Sequence, residues 1–108
     1  MESILTSVKN QLGIMEDYDC FDAALIMHIN SVFLVLTQLG VGPSEGFFIE
    51  DDSSVWTDFI KGNQLEMVKS YMFLKVKLLF DPPANSTLLD ATNRMISEFE
   101  WRLNLAVE

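Results

Sequence analysis

Cysteine and histidine each occur once in this 108-residue chain, and Lys and Arg together number only seven. The lone Cys20 excludes an internal disulfide and fits synthesis in a reducing compartment, with the cytosol as the expected place. Asp17, Asp19 and Asp22 surround it, the opposite of the electropositive setting that a reactive thiolate needs, so it reads as a structural thiol. His28 has no second histidine with which to hold a metal and reads as a helix-surface or interface residue. Against the seven cations stand 16 acids, giving a net charge of -9. That leaves too few positive groups for a grip on nucleic acid through its phosphates, whereas an acidic surface repels DNA. The longest nearly apolar segment, Phe21 to Leu39, is broken by Asp22, His28, Asn30, Ser31, Thr37 and Gln38, so no membrane span is expected. Met1 to Gly13 is amphipathic and contains Glu2, which does not fit a signal peptide.

The groups that carry catalysis are also missing. Asp51 and Asp52 are adjacent acids without the alternating oxygen ligands, central glycine and final glutamate of a calcium loop. Gly40-Val41-Gly42-Pro43 lacks the lysine of a phosphate-binding loop. No nucleophile stands beside a base, so the expectation is a protein without enzymatic activity, cofactor or metal.

What the chain does contain is helical patterning. Ser3 can cap a short helix with Ile4, Leu5, Val8 and Leu12 on one face, stopped by Gly13. A second helix, with Asp19 as N-cap and Asp22 in its first turn, is expected to run to Leu39 and end at Gly40. Its stripe of Leu25, Ile26, Ile29, Val32, Phe33, Leu36 and Leu39 is the main core contribution, at about 1.5–3 kcal/mol for each fully buried side chain. Met27 and Leu34 point the other way. Residues 40–54 form a long loop rich in glycine and acids, and its Phe47, Phe48 and Ile49 argue against plain disorder. A helical turn from Ser53 or Ser54 carries Val55, Trp56, Phe59 and Ile60, closes at Gly62, and is expected to plug one end of the bundle.

The third helix, from about Asn63 to Phe80, is stopped by Pro82 and Pro83, which lack amide hydrogens and restrict the residues before them. Met67, Val68, Tyr71, Met72, Leu74, Leu78 and Leu79 share one broad face, but Lys75 projects from its middle while Phe73 and Phe80 project from the polar side. Such a helix is expected to have neighbours on both sides. Lys75 either snorkels to water or pairs with a carboxylate, for which Glu98 and Glu100 are candidates. In the last helix, capped by Ser86, Leu88, Ala91, Met95, Ile96, Phe99, Leu103 and Ala106 share a face, and Arg94, Glu98 and Arg102 form a charge ladder. Trp101 and Leu105 lie on its polar side as a docking surface. Met15, Met67, Met72 and Met95 read as core fillers. The fold class is therefore all-α, a small bundle of four helices plus a short helical turn, within one domain spanning residues 1–108.

The strings Gln38-Leu39-Gly40-Val41-Gly42-Pro43, Tyr71-Met72-Phe73-Leu74-Lys75-Val76-Lys77-Leu78-Leu79-Phe80-Asp81-Pro82-Pro83 and Glu98-Phe99-Glu100-Trp101-Arg102-Leu103-Asn104 resemble the head-tail connector proteins of long-tailed bacteriophages. The resemblance runs over essentially the whole chain. It implies a small helical virion protein of the neck, made in the host cytoplasm, that forms a ring beneath the portal and continues the DNA channel towards the tail. The implied partners are further copies of itself, the portal protein and a tail-side stopper or completion protein, with DNA passing through without specific binding. On that reading Met27, Leu34, Phe73 and Phe80 contribute to contacts between subunits. Glu45, Phe47, Phe48, Glu50, Asp51 and Asp52 face the channel or a neighbouring ring, and Trp101 and Leu105 dock onto the portal or the next tail-side protein. Lys75 is a further interface candidate. The alternative from composition is a small acidic regulator that masks a basic protein partner.

Overall fold

The computed structural model describes residues 3–107, and for Ala106 and Val107 the backbone alone. The expected place of Ala106 on an apolar face, and the readings of Met1 and Glu2, lie outside the described residues. The helices are α1 (Ile4–Leu12), α2 (Asp22–Gln38), α3 (Trp56–Phe59), α4 (Leu65–Phe80) and α5 (Ser86–Val107). No strand forms among the described residues. This is the all-α arrangement expected, with α3 as the short turn.

Ser3 caps α1 by accepting from the Thr6 amide at 3.3 Å, and Gly13 ends it in the left-handed conformation, φ 79°. Ile4, Leu5 and Val8 are buried. So is Lys9, only 2% exposed, which the sequence reading passed over. Its Nζ lies 2.8 Å from Asp22 Oδ1, outside hydrogen-bonding geometry, and donates to the Glu16 carbonyl at 2.9 Å. One ammonium thus joins the end of α1, the acidic linker and the first turn of α2. Asp19 does not cap α2 with its side chain. Phe21 holds the N-cap position, without a side-chain cap, and the Asp19 carbonyl accepts from the Asp22 amide at 3.1 Å.

The α2 stripe is buried as its spacing requires, with Leu25, Ile29, Val32, Phe33 and Leu36 inside and Ile26 and Leu39 packed at the margin. Phe33 is the hub of an aromatic group, its ring centroid 5.0 Å from Phe47, 4.6 Å from Phe59 and 6.5 Å from Trp56. Trp56 Nε1–H donates to Ser7 Oγ at 2.9 Å, and that hydroxyl donates to the Ile4 carbonyl at 3.0 Å. The indole therefore enters the core with its polar group satisfied. The Ile4 amide donates to the Ser54 carbonyl, and Ser3 pairs with Val55, so α3 seals the start of α1. Neither Ser53 nor Ser54 caps α3. Instead the Val55 amide donates to Asp58 Oδ2 at 3.0 Å.

The long loop is anchored at several points. Val41 and Ile49 are buried. Asn30 binds the backbone of Ile49 twice, donating from Nδ2 to its carbonyl at 2.9 Å and accepting its amide at Oδ1 at 2.7 Å. Gly42, at φ 83°, passes directly over the Phe59 ring, and a Cβ there would fall inside the ring's van der Waals envelope.

α4 packs against α1, α2 and α5, whereas α2 and α5 scarcely touch each other. Val68, Tyr71, Met72 and Val76 are its buried residues, while Leu79, expected inside, is exposed. On α5 the buried line passes through Ile96 and Leu103, with Leu89 and Phe99 beside it, while Leu88 and Met95, expected on that face, are exposed. Glu100 lies on the same side of α5 as Ile96 and Leu103, where its carboxylate accepts from Tyr71 of α4. Met15 is exposed as well, so Met67 and Met72 fill the core but Met15 and Met95 do not. The cap of α5 is Asn85, whose Oδ1 accepts from the Thr87 and Leu88 amides at 2.8 and 3.1 Å, and not Ser86. Of the charge ladder, the Glu98–Arg102 pair closes at 2.7 Å.

Two substitutions probe these constraints. Gly42→Ala forces a left-handed alanine, costing about 1–2 kcal/mol, and overpacks the Phe59 contact at about 1–3 kcal/mol. Urea denaturation should show a loss of about 2–5 kcal/mol in total. Lys9→Ala leaves Asp22 without its counter-charge and is expected to cost about 3 kcal/mol in the same measurement. Lys9→Ala within about 0.5 kcal/mol of the parent protein would show the ion pair to be incidental.

Candidate functional site

Among the described residues no group of three or more His, Cys, Asp or Glu side chains could hold a metal ion. Nor, among the described residues, is any helix long and apolar enough to cross a membrane. What the fold displays is apolar side chains on surfaces that meet water.

The first surface lies along the outer side of α2 and the loop. Leu34 is 60% exposed and Phe48 66% exposed, with Met27 two turns before Leu34 and also exposed. Leu34 and Phe48 line a cleft of about 320 Å³ with Asn30, Thr37, Glu45 and Phe47. From Phe47 to Ile49 successive side chains alternate between core and solvent. Phe47 is turned in against Phe33 and Phe59, Phe48 outward, and Ile49 into the core. Phe47 is thus a core side chain that reaches the cleft from beneath. Glu45, Glu50, Asp51 and Asp52 are exposed around it. Asp51 accepts from the Ser53 hydroxyl and amide at 2.5 and 2.9 Å, which holds its carboxyl below the ordinary range and keeps it ionised.

The second surface is the outer side of α5. Its buried residues Ile96 and Leu103 face α4, and at about 100° per residue Trp101 points the opposite way. Trp101 is 63% exposed, and Leu105, one turn later, is exposed beside it. Phe73 is not on either surface. It is half-buried in a cleft of about 430 Å³ between α1, α4 and α5, with Trp56, Leu74, Met95 and Phe99 among the other walls. Phe80 is half-buried too, its ring 5.2 Å from Phe21, which in turn meets Tyr18 at 5.6 Å. Sequence reasoning missed Tyr18 and Phe21, both exposed. Their three-residue spacing just ahead of α2 was the available signal.

Lys75 resolves into both of its alternatives. The side chain is partly exposed, and its Nζ lies 3.9 Å from Glu100 Oε2, while Glu98 is engaged by Arg102. Tyr71, wholly buried, donates its hydroxyl to the same Glu100 oxygen at 2.7 Å. The carboxylate therefore serves α4 twice, as acceptor for a buried phenol and as counter-charge for the lysine one turn on. Burial comes first, followed by the hydrogen bond and charge of Glu100, in raising the Tyr71 hydroxyl well above its ordinary value of 10.0.

The model of the phage connector protein family matches residues 4–108. The chain belongs to that family, and its role is that of a structural connector in a bacteriophage virion, in agreement with the resemblance seen in the sequence strings. Membership places it at the neck of the virion, among portal and tail components, in a family that is structural rather than enzymatic. Comparison with curated proteins and with solved structures gives no match.

The Tyr71 geometry has a consequence in alkaline solution. Because folding raises the Tyr71 value above 10.0, the folded state holds the proton more tightly than the unfolded chain. The corresponding stability is complete below about pH 10 and is lost as pH rises beyond it. Tyr71→Phe should cost about 1.5–3 kcal/mol at pH 7, the range for a hydrogen bond to a charged group, and flatten the decline above pH 10 in a denaturation series. An unchanged alkaline slope in Tyr71→Phe would assign that decline to other groups.

Proposed function

We propose that the chain assembles as a ring beneath the portal, joins the DNA-filled head to the tail and continues the DNA channel between them. Membership of the connector family supports this reading, and the single observation that carries it is the presence of large apolar side chains exposed on two different helices. A closed ring of identical subunits needs a head-to-tail contact, in which each copy offers two unlike patches. Leu34 and Met27 on α2 and Trp101 and Leu105 on α5 supply such patches. Phe73 and Phe80 are half-buried away from these two patches and contribute at most secondary contacts.

The exposed acids Glu50, Asp51 and Asp52 are the part of the chain suited to the DNA path. Residues 40–60 carry five acids and no Lys or Arg, so passing phosphates meet repulsion instead of a binding site. DNA then slides without specific contacts, as a conduit requires. The portal protein on one side and a tail-side stopper or completion protein on the other are the partners of the two ring faces.

The test is to mix the full chain with purified portal rings, sediment the mixture and image it by electron microscopy. A ring of added density coaxial with the portal is the expected result. A chain that stays monomeric at high concentration and fails to co-sediment with portal overturns the proposal. In an infection lacking this protein, DNA-filled heads without tails should accumulate.

A further inference from the structure

We infer that the outer side of α5 around Trp101 docks into the cleft between α2 and the loop on a second copy of the chain. This inference rests on the ring reading and assigns the two patches that meet.

Shape and charge both select this pairing. The cleft, about 320 Å³, has apolar walls in Leu34, Phe47 and Phe48 and polar atoms in Asn30, Thr37 and Glu45. It falls at the small end of the range for sites that enclose a ligand, which suits one aromatic side chain. The loop beside it is wholly acidic between residues 40 and 60. Both arginines of the chain, Arg94 and Arg102, are on α5. Arg102 is engaged by Glu98, whereas Arg94 precedes Trp101 by seven residues and so shares its outward direction to within about 20°. The outer side of α5 therefore presents the Trp101 indole with the Arg94 guanidinium two turns before it, about 10 Å along the helix axis, and the cleft presents an apolar slot with the Glu45 carboxylate at its rim. Tryptophan and arginine are also the side chains that most often carry the binding energy of an interface. The larger cleft beside Phe73 has Glu66 and Lys69 together among its walls and offers no net charge to select a partner.

The two patches cannot satisfy each other within one subunit. Leu34 and Trp101 each point away from the buried side of their own helix, and α2 and α5 hold their main contacts with α4. The molecule is flat, with principal extents of 39 × 36 × 20 Å. Copies joined knob into cleft therefore extend edge to edge. In the contact, Trp101 enters between Leu34 and Phe48, its indole N–H meets the polar wall, and Arg94 meets Glu45. This assignment places Glu45 and Phe48 at the subunit boundary and leaves Glu50, Asp51 and Asp52 for the DNA path.

A head-to-tail contact has a signature that a symmetric one lacks. Trp101→Glu destroys the knob and keeps the cleft, and Leu34→Glu does the reverse. Both positions are exposed, so circular dichroism should show unchanged helicity. By sedimentation up to about 1 mM, the weakest affinity worth scoring, the parent chain should self-associate and each variant alone should associate at least tenfold more weakly. A one-to-one mixture of the two variants should recover a complex, and that complex should stop at the dimer. If both variants assemble as well as the parent, or their mixture stays monomeric while the parent assembles, the docking is overturned and the ring reading stands. If the parent chain is monomeric throughout yet forms rings on portal, and the variants do so equally well, the docking again fails alone. If no ring forms even on portal, both readings fall.

Discussion

Everything in this small protein is arranged around the need to cover α4 from three directions. A 16-residue helix bearing Val68, Tyr71, Met72 and Val76 as buried groups cannot rest on a single neighbour, and α1, α2 and α5 each take part of its surface. Burying Tyr71 sets the further requirement that its hydroxyl find an acceptor. Glu100 meets it from the same side of α5 that buries Ile96 and Leu103, so the hydrogen bond and the apolar contacts agree on one rotation of the helix, with Trp101 outward. A carboxylate brought to a partly buried site then favours a nearby cation, and Lys75 stands at 3.9 Å. The lysine that interrupts the apolar face of α4 is thus the electrostatic complement of a hydrogen bond that the same face demands.

The features legible in the sequence were those decided by near neighbours along the chain. The Ser3 cap, the Gly13 stop, the stripe of α2 and the end of α4 before Pro82 depend on residues within a turn or two, and all stand in the structure. The resemblance in the connector strings led to the family that the chain belongs to. The misreadings share a different physical origin. Lys9, passed over in the sequence, is buried because Asp22 and the Glu16 carbonyl fold over it. Asn30 reads as outer-face polarity until Ile49, 19 residues later, pairs with both of its amide groups. The stripe of α5 holds at Ile96, Phe99 and Leu103, and only its breadth was misjudged, since Leu88 and Met95 are exposed. The exchange of Asn85 for Ser86 as cap is a one-residue ambiguity between two good capping side chains.

The loop shows how two adjacent aromatics acquire different duties. Phe47 and Phe48 looked alike as loop residues, yet the chain sends them to opposite sides. Phe47 joins Phe33 and Phe59, and Phe48 is left in water. Three apolar residues in a row carry no two-residue period, so the alternation in, out, in from Phe47 to Ile49 was not written in the sequence. The structure shows it, with Ile49 fixed inward by Asn30. A hydrophobic side chain held in water by a buried neighbour on each side has no route into its own core, and a partner's surface is the remaining way to cover it.

That anchoring bears on how copies could meet. A segment with three glycines and four acids between residues 40 and 54 would ordinarily be a mobile wall, and ordering it on contact would subtract from the binding energy. Here Asn30 holds Ile49, Phe59 lies against Gly42, and Phe47 is set among the core rings before any partner arrives. The cleft beside Leu34 is therefore preformed. Preformation matters more for a ring than for a dimer, because a head-to-tail contact closes only at one rotation per subunit and otherwise continues as an open filament. On the proposed docking, the angle between copies is set by two rigid elements: the orientation of α5, locked through Glu100 to Tyr71, and the loop wall, locked through Asn30 to α2. The polar contacts inside the subunit then determine the geometry between subunits.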